Sequence, residues 1–413
     1  MSEALKVIVL CPHFDPDTAP TGTVMTRIVA ELASRGHELH VITSLPWYRD
    51  HAVAPGWGGA MRRVERTSWG SITRLHPFPG DDRANLVRRA LGFVAFSLLA
   101  LVQGFWVAGP CRKVDAVLAM SPPLTLGPTA WLIARVRRAR CVFNIQDVFP
   151  DAAVRTGAIT NRRVIAAASW LERVTYQAVD AVTVLSDGLA DNVKAKLAAT
   201  PRGDTSKVAV IANFVDSEVI TPGDRMTTYR TELGIDDGFV VMYAGNIGFS
   251  QSLDLVLGLA RQRPDITVVI NGEGSAKTSI EAEAAQLPNV RIVGYQPMER
   301  LSEVLASADV HLVPLRAGLG DVSVPSKTYS ILAAGRPVIA SIDADSAVDR
   351  LLSASGGGIA VPPDDLDALV AAIDDVRSDP ARRAAMGAAG RDYVERVASP
   401  AAVGREYERI LRG

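Results

Sequence analysis

Lys327 follows Pro325 and Ser326 and opens an apolar stretch that closes on Gly335 and Pro337. Pro at a first helical position, with Ser326 beside it to cap or donate, predicts a helix start whose free N–H groups and positive dipole end lie beside an ammonium. That is chemistry for an anion, and a diphosphate fits it. Tyr329, Ile331, Leu332 and Ala334 give this helix a buried face, and Gly335 allows the left-handed turn that ends it. An ordinary α/β helix with a lysine at its start would carry the same letters, so other segments have to decide.

Two turns offer glycines for close approach. Tyr243-Ala-Gly-Asn-Ile-Gly248 ends a strand-like run and precedes a helical pattern with Ser250 or Ser252 available as cap, while Ile270-Asn-Gly-Glu-Gly-Ser275 ends another such run. Glycine lets backbone N–H groups come up to a phosphate, although a lone GxxG is weak and can be structural only. Asp147 follows the strand-like Cys141–Ile145. Its carboxylate suits a hydrogen bond to a sugar hydroxyl or positive charge at an anomeric carbon, with capping of a helix near Pro150 as the competing role. In the loop Trp47–Trp69, Trp47, Trp57 and Trp69 stand among Arg49, Arg62, Arg63 and Arg66. That mixture suits stacking on sugars or lodging at a membrane interface. The six histidines form no HExxH or HxH pair, so no metal site is expected, and His13 reads as a loop residue.

These residues need a frame, and alternation supplies one. Lys6–Cys11, His40–Ser44, Ile72–Leu75, Ala116–Ala119, Cys141–Ile145, Ala181–Leu185 and Val208–Ala212 are short apolar runs, separated by helical patterns such as Thr23–Arg35, Leu124–Arg138 and Arg162–Val179. That rhythm predicts a parallel sheet with helices on both faces. It restarts after a linker around Asn213–Gly223, with Phe239–Tyr243, Thr267–Ile270, Val290–Val293, Val310–Val313, Val338–Ala340 and Gly358–Val361. The fold class is therefore α/β with two doubly wound, Rossmann-like domains, expected to face a cleft at the carboxyl ends of their strands.

The chain of 413 residues has room for two such cores, and 48% hydrophobic with 22% charged residues excludes a disordered chain. Residues 1–217 carry 25 Lys and Arg against 18 Asp and Glu, and the remainder 19 against 27, so the first half is basic and the second acidic. A basic half suits an anionic surface or substrate; uneven solubilising charge would look the same. With a whole-chain net charge of −1 and no recognised module, nucleic acid is not an expected partner. Cys11, Cys111 and Cys141 form no CxxC pair and read as free thiols in a reducing compartment. No secretory leader is legible, so a cytoplasmic location is expected. Leu91–Ala108 is uncharged over eighteen residues. It reads as a buried domain helix, a helix that also touches the membrane, or a minimal span.

In order and spacing these segments resemble the retaining nucleotide-sugar glycosyltransferases of family four, with the GT-B fold. The closest likeness is to the L-N-acetylfucosamine transferase-like branch of bacterial surface polysaccharide enzymes. The likeness rests on Thr18-Ala-Pro-Thr-Gly-Thr23, Ser121-Pro-Pro123, Gln146-Asp-Val-Phe-Pro150, Ala244-Gly-Asn-Ile-Gly248, Gly272-Glu-Gly274, Pro325-Ser-Lys327 and Ala333-Ala-Gly-Arg-Pro337. It implies an acceptor-binding domain over 1–217, a nucleotide-sugar-binding domain over 218–395, and a helix at 396–413 packing back toward the first domain. It further implies Asp147 and Lys327 as catalytic residues. Gly22, Gly245, Asn246, Gly248, Gly272, Glu273, Tyr295, Pro325, Ser326, Lys327 and Ser330 would hold the donor, and Thr21, Trp47 and Arg49 the acceptor.

The implied reaction moves a sugar, an N-acetylated hexosamine, from a UDP-linked donor to a polyprenyl-diphosphate-linked or glycan acceptor at the inner membrane surface. It proceeds with retention and needs no metal or other cofactor. Two departures stand out. Val322 and Ser330 occupy the positions of the family's E-x7-E pair, and Phe249, Ser250 and Gln251 stand where an Arg and a Lys would follow the glycine turn. Lys327 is then the nearest replacement cation. A nucleotide-sugar 2-epimerase of the same architecture and a non-catalytic membrane-associated scaffold are the rival readings.

Overall fold

A computed structural model describes residues 3–49, 52–78, 86–109, 112–146, 150–151, 161–200, 203–212, 214–248, 251–318 and 326–413, with the backbone alone at 86–90 and 326. The chain divides into two compact units, Met1–Asn213 with Val403–Gly413, and Phe214–Ala402.

The first unit is built on β1 (Lys6–Leu10), β2 (Glu38–Ser44), β3 (Arg62–Thr67), β4 (Gly70–Leu75), β5 (Ala116–Ser121), β6 (Arg140–Ile145), β7 (Ala181–Val184) and β8 (Val208–Val210), in the order β3-β4-β2-β1-β5-β6-β7-β8. Strands β1, β2, β5, β6 and β7 are buried almost throughout, as strands covered on both faces must be. Helices Pro20–Ser34, Leu86–Trp106, Leu126–Arg137, Arg162–Ala178 and Asp187–Ala198 belong to this unit. Phe96, Ala100, Ile133 and Tyr176 from three of them meet Ile8, Val117, Phe143 and Val182 of the sheet in one core.

The segment Trp47–Trp69 is not all loop, because Arg62–Thr67 forms β3, antiparallel to β4 in an otherwise parallel sheet. Its letters, Arg-Arg-Val-Glu-Arg-Thr, hide a strand because an edge position with a single neighbour leaves alternate side chains exposed and tolerates charge.

The second unit carries β9 (Val240–Ala244), β10 (Thr267–Asn271), β11 (Val290–Val293), β12 (Val310–Pro314), β13 (Val338–Ser341) and β14 (Gly358–Val361), all parallel in the order β11-β10-β9-β12-β13-β14. Its core joins Val241, Val268, Ile270, Val310 and Ile339 to Val256, Leu257 and Ile373 of the flanking helices. Ser252 precedes helix Leu253–Gln262 without capping it, and its hydroxyl donates instead to Asp364.

Strand order reverses beside β1 in the first unit and beside β9 in the second, since each has later strands on both sides. At such a switch point the loops leaving neighbouring strands diverge and open a crevice. The loops that follow β1 and β9 are therefore where each unit can receive a ligand.

Candidate functional site

In the second unit the loop after β9 holds the glycine turn, and helix Ser326–Ala333 brings Lys327 to it. The Lys327 ammonium lies 4.2 Å from the centre of the Tyr243 ring, at the end of β9. Its Cδ and Nζ pass 3.5 and 3.6 Å from where a Cβ on Gly245 would sit. Gly245, at φ +153°, thus leaves room for the lysine as well as bending the chain. Among the described residues no carboxylate answers this ammonium; desolvation alone draws its pKa from the ordinary 10.5 down to about 7. The side chain as a whole is half-buried. A cation held by a ring face and crowded by protein, with no acid beside it, gains most from an anion that arrives from outside. Gly335, at φ +66°, then ends the helix as expected.

The two glycine turns lock into each other. The Gly245 N–H donates to the Asn271 carbonyl at 2.9 Å, and the Ile247 N–H to that of Glu273 at 2.8 Å. A Cβ on Gly272 would stand 1.8 Å from the Gly245 oxygen, and one on Gly274 2.2 Å from the Ile247 oxygen. The Gly248 N–H donates to the Gln251 side chain at 3.2 Å, and the Tyr243 hydroxyl to the Asn246 carbonyl at 2.5 Å. These turns therefore commit much of their hydrogen-bonding capacity to one another, and Lys327 stands beside them as a charge with no carboxylate partner among the described residues.

Gly245, Asn246, Gly248, Gly272, Glu273 and Lys327 are thus brought together, with Glu273 tied to Lys277 at 2.7 Å. Tyr295 follows β11 and is exposed, close enough to the Tyr243 phenol to help burial raise its pKa. Ser330 lies one turn along from Lys327, half-buried. Pro325, the Ser326 side chain and Asp147 lie outside the described residues.

In the first unit a second cluster forms after β1. His13 Nδ1 lies 2.6 Å from Asp17 Oδ2, and the other carboxylate oxygen accepts the Tyr48 N–H at 3.1 Å. Trp47 stacks on the His13 ring at 5.5 Å, and Tyr48 meets it edge-on at 5.3 Å. Gly22, in the first turn of helix Pro20–Ser34, lies against this loop, since a Cβ there would come within 2.9 Å of His13 Cβ. Thr21 sits beside it half-buried, and Arg49 is exposed. Trp57 is covered by cations of its own unit, Arg74 at 4.9 Å and Arg63 at 5.4 Å. Buried Arg74 in turn pairs with Glu65 at 2.6 Å and donates to the Asp15 carbonyl.

Sequence reasoning missed Tyr243 as the holder of Lys327 and Asp17 as the partner of His13. The first pairing is far apart in sequence and leaves no local trace. The second had one, a carboxylate four residues after a histidine. Among the described residues no three His, Cys, Asp or Glu side chains gather as a metal site.

Comparison with known proteins follows this division. Residues 21–213 match the family described as Glycosyl transferase 4-like domain, and residues 226–393 match Glycosyl transferases group 1. Over 99% of its length the chain is 26% identical to WcaI, a colanic acid biosynthesis glycosyl transferase of Escherichia coli strain K12, and the alignment covers 100% of that protein. Among solved structures it resembles sucrose-phosphate synthase from Thermosynechococcus elongatus, with a TM-score of 0.69 at 17% identity, covering 99% and 98% of the two chains. It also resembles Anabaena HepE in complex with UDP, with a TM-score of 0.66 at 12% identity, covering 98% and 99%.

Proposed function

The chain belongs to the glycosyl transferases of family four with the GT-B fold, and on that premise we propose that it transfers an N-acetylated hexosamine from a UDP-linked donor, with retention of configuration, to a lipid-linked or glycan acceptor in surface polysaccharide assembly. The likeness to WcaI along the whole of both chains supports the pathway class. The observation that carries the donor assignment is the Lys327 ammonium, held over Tyr243 beside Gly245 with no acid among the described residues to neutralise it.

In this reading the bond between the anomeric carbon and the β-phosphate oxygen breaks while the acceptor oxygen approaches on the same face. The departing diphosphate carries away both electrons and takes the acceptor's proton. Lys327 meets the charge that develops on it, in a setting where one charge-assisted contact is worth roughly 1.5–3 kcal/mol. Asp147 would serve the sugar. No resident metal is called for, because the lysine supplies the countercharge.

A panel of UDP-, GDP- and dTDP-sugars tested by thermal shift decides the donor. A UDP-N-acetyl sugar is expected to raise Tm and Lys327→Ala to abolish the rise; an equal response to all three nucleotides would overturn the assignment. The anomeric configuration of the product, read by NMR, tests retention. Conversion of the donor without any acceptor would favour an epimerase.

A further inference from the structure

Helix Leu86–Trp106 has more apolar surface than its core contact uses. Phe96 and Ala100 are buried, yet Leu91, Val94, Leu98, Val102 and Trp106 recur at helical spacing on the opposite side and are 42–65% exposed. The neighbouring helices repeat the pattern. Trp131, Leu132 and Val136 face outward from Leu126–Arg137, and Val164, Trp170 and Val174 from Arg162–Ala178. The three helices are packed side by side. Ile133 fills the space beside Gly104, Thr175 fills that beside Gly127, and Arg137 donates to the carbonyls of Phe105 and Gly109 at 3.1 and 2.9 Å. An apolar face that continues across three helices is larger than scattered surface residues explain.

The exposed charges on the described residues of these helices have one sign. Arg135, Arg163 and Arg173 are exposed on the two shorter helices. The three helices hold a single acidic residue, Glu172, which is fully buried and bound to Lys196 at 2.8 Å and to the Tyr176 hydroxyl at 2.8 Å. Apolar ridges among arginines, with no exposed carboxylate on the described residues of these helices, match a surface that is greasy within and anionic at its rim. A second copy of the chain would present arginine to arginine.

We propose that this three-helix face docks on a bilayer containing anionic lipid, with the helices lying along the interface. No helix among the described residues is long and apolar enough to cross a membrane. The proposal deepens the reading of a lipid-linked acceptor and rests on it for its purpose, since such an acceptor has to be met at the membrane surface. The docking itself rests on exposure and charge.

The test is co-sedimentation of the full chain with vesicles of phosphatidylcholine alone or mixed with phosphatidylglycerol. The protein is expected to pellet with the mixed vesicles, to stay in solution with the neutral ones, and to be released by salt. The pair Leu98→Glu and Val102→Glu is expected to weaken partitioning about tenfold or more, and the pair Arg135→Glu and Arg173→Glu to remove the preference for anionic lipid. All four positions are exposed, so both variants are expected to keep the donor-induced thermal shift, which checks their folding.

Equal binding to neutral and mixed vesicles, no binding by the parent protein, or unchanged binding by both variants would each overturn the proposal. So would a dimer in sedimentation velocity that Leu98→Glu with Val102→Glu dissolves, which would assign the face to a second copy. If the glycosyl transfer reading were the one at fault, vesicle binding would persist while no sugar moved.

Discussion

In the proposed reaction Lys327 is the cation that meets the diphosphate. Lys327→Ala is expected to lower kcat/KM by about 10- to 150-fold, the kinetic equivalent of one charge-assisted contact. Its Tm should stay level or rise, because the change removes a desolvated charge with no acidic partner among the described residues. The pKa near 7 adds a pH signature. Above that value the unliganded protein loses the proton that a diphosphate would need under the proposed reading, so donor affinity, measured by titration calorimetry, should fall by up to about tenfold per pH unit. Lys327→Met should flatten that profile. Between pH 7 and the ordinary lysine value the unfolded chain holds a proton that the folded chain does not. Stability without donor should therefore rise with pH across that window, and the rise should vanish in the same variant. At this scale Lys327 was legible because Pro, Ser and Gly mark the ends of its helix, whereas the Tyr243 ring beneath it was not, since strand and helix meet only through the fold.

At the scale of elements, the crevice depends on two turns that pass within van der Waals reach of each other. Gly272→Ala puts a methyl group where the Gly245 carbonyl oxygen stands, 1.8 Å away. It is expected to cost about 3 kcal/mol, a fall in Tm of about 6–12 °C for a unit of this size. Gly234→Ala is the control. That glycine has φ +65° with nothing within 4 Å, so only the conformational penalty of about 1 kcal/mol applies. Differential scanning calorimetry should order the two. The strand and helix pattern was legible because buried parallel strands are nearly continuous apolar runs. Strand β3 was the exception, since an edge strand of Arg and Glu has no apolar signal to read. The glycines were legible as turn formers, but that their N–H groups would serve the neighbouring turn depends on which strands lie side by side.

At the scale of the whole chain, the first unit is completed by the last residues. Tyr407 is buried, and its hydroxyl accepts from Asn144 at 2.8 Å, while Arg140 donates to the Ile410 carbonyl at 2.7 Å and Arg35 pairs with Glu408 at 2.8 Å. Tyr407→Phe leaves the buried Asn144 amide donating to the Thr183 hydroxyl without its second acceptor and is expected to cost about 1 kcal/mol in urea unfolding. Tyr407→Ala also opens a cavity and should cost about 3–5 kcal/mol.

This return of the chain has a consequence for how the protein is made. A ribosome working at about 5–20 residues per second takes roughly 10–40 s to pass from the end of the first segment to the residues that finish the same unit. Throughout that interval the nascent chain exposes the surface that Val403, Tyr407 and Leu411 later cover. A message cut short would yield a chain that lacks this closing segment however long it waits. Supplying 403–413 as a separate peptide to a chain cut before it should close the unit in trans, so folding of the first unit depends on translation through a segment almost two hundred residues downstream.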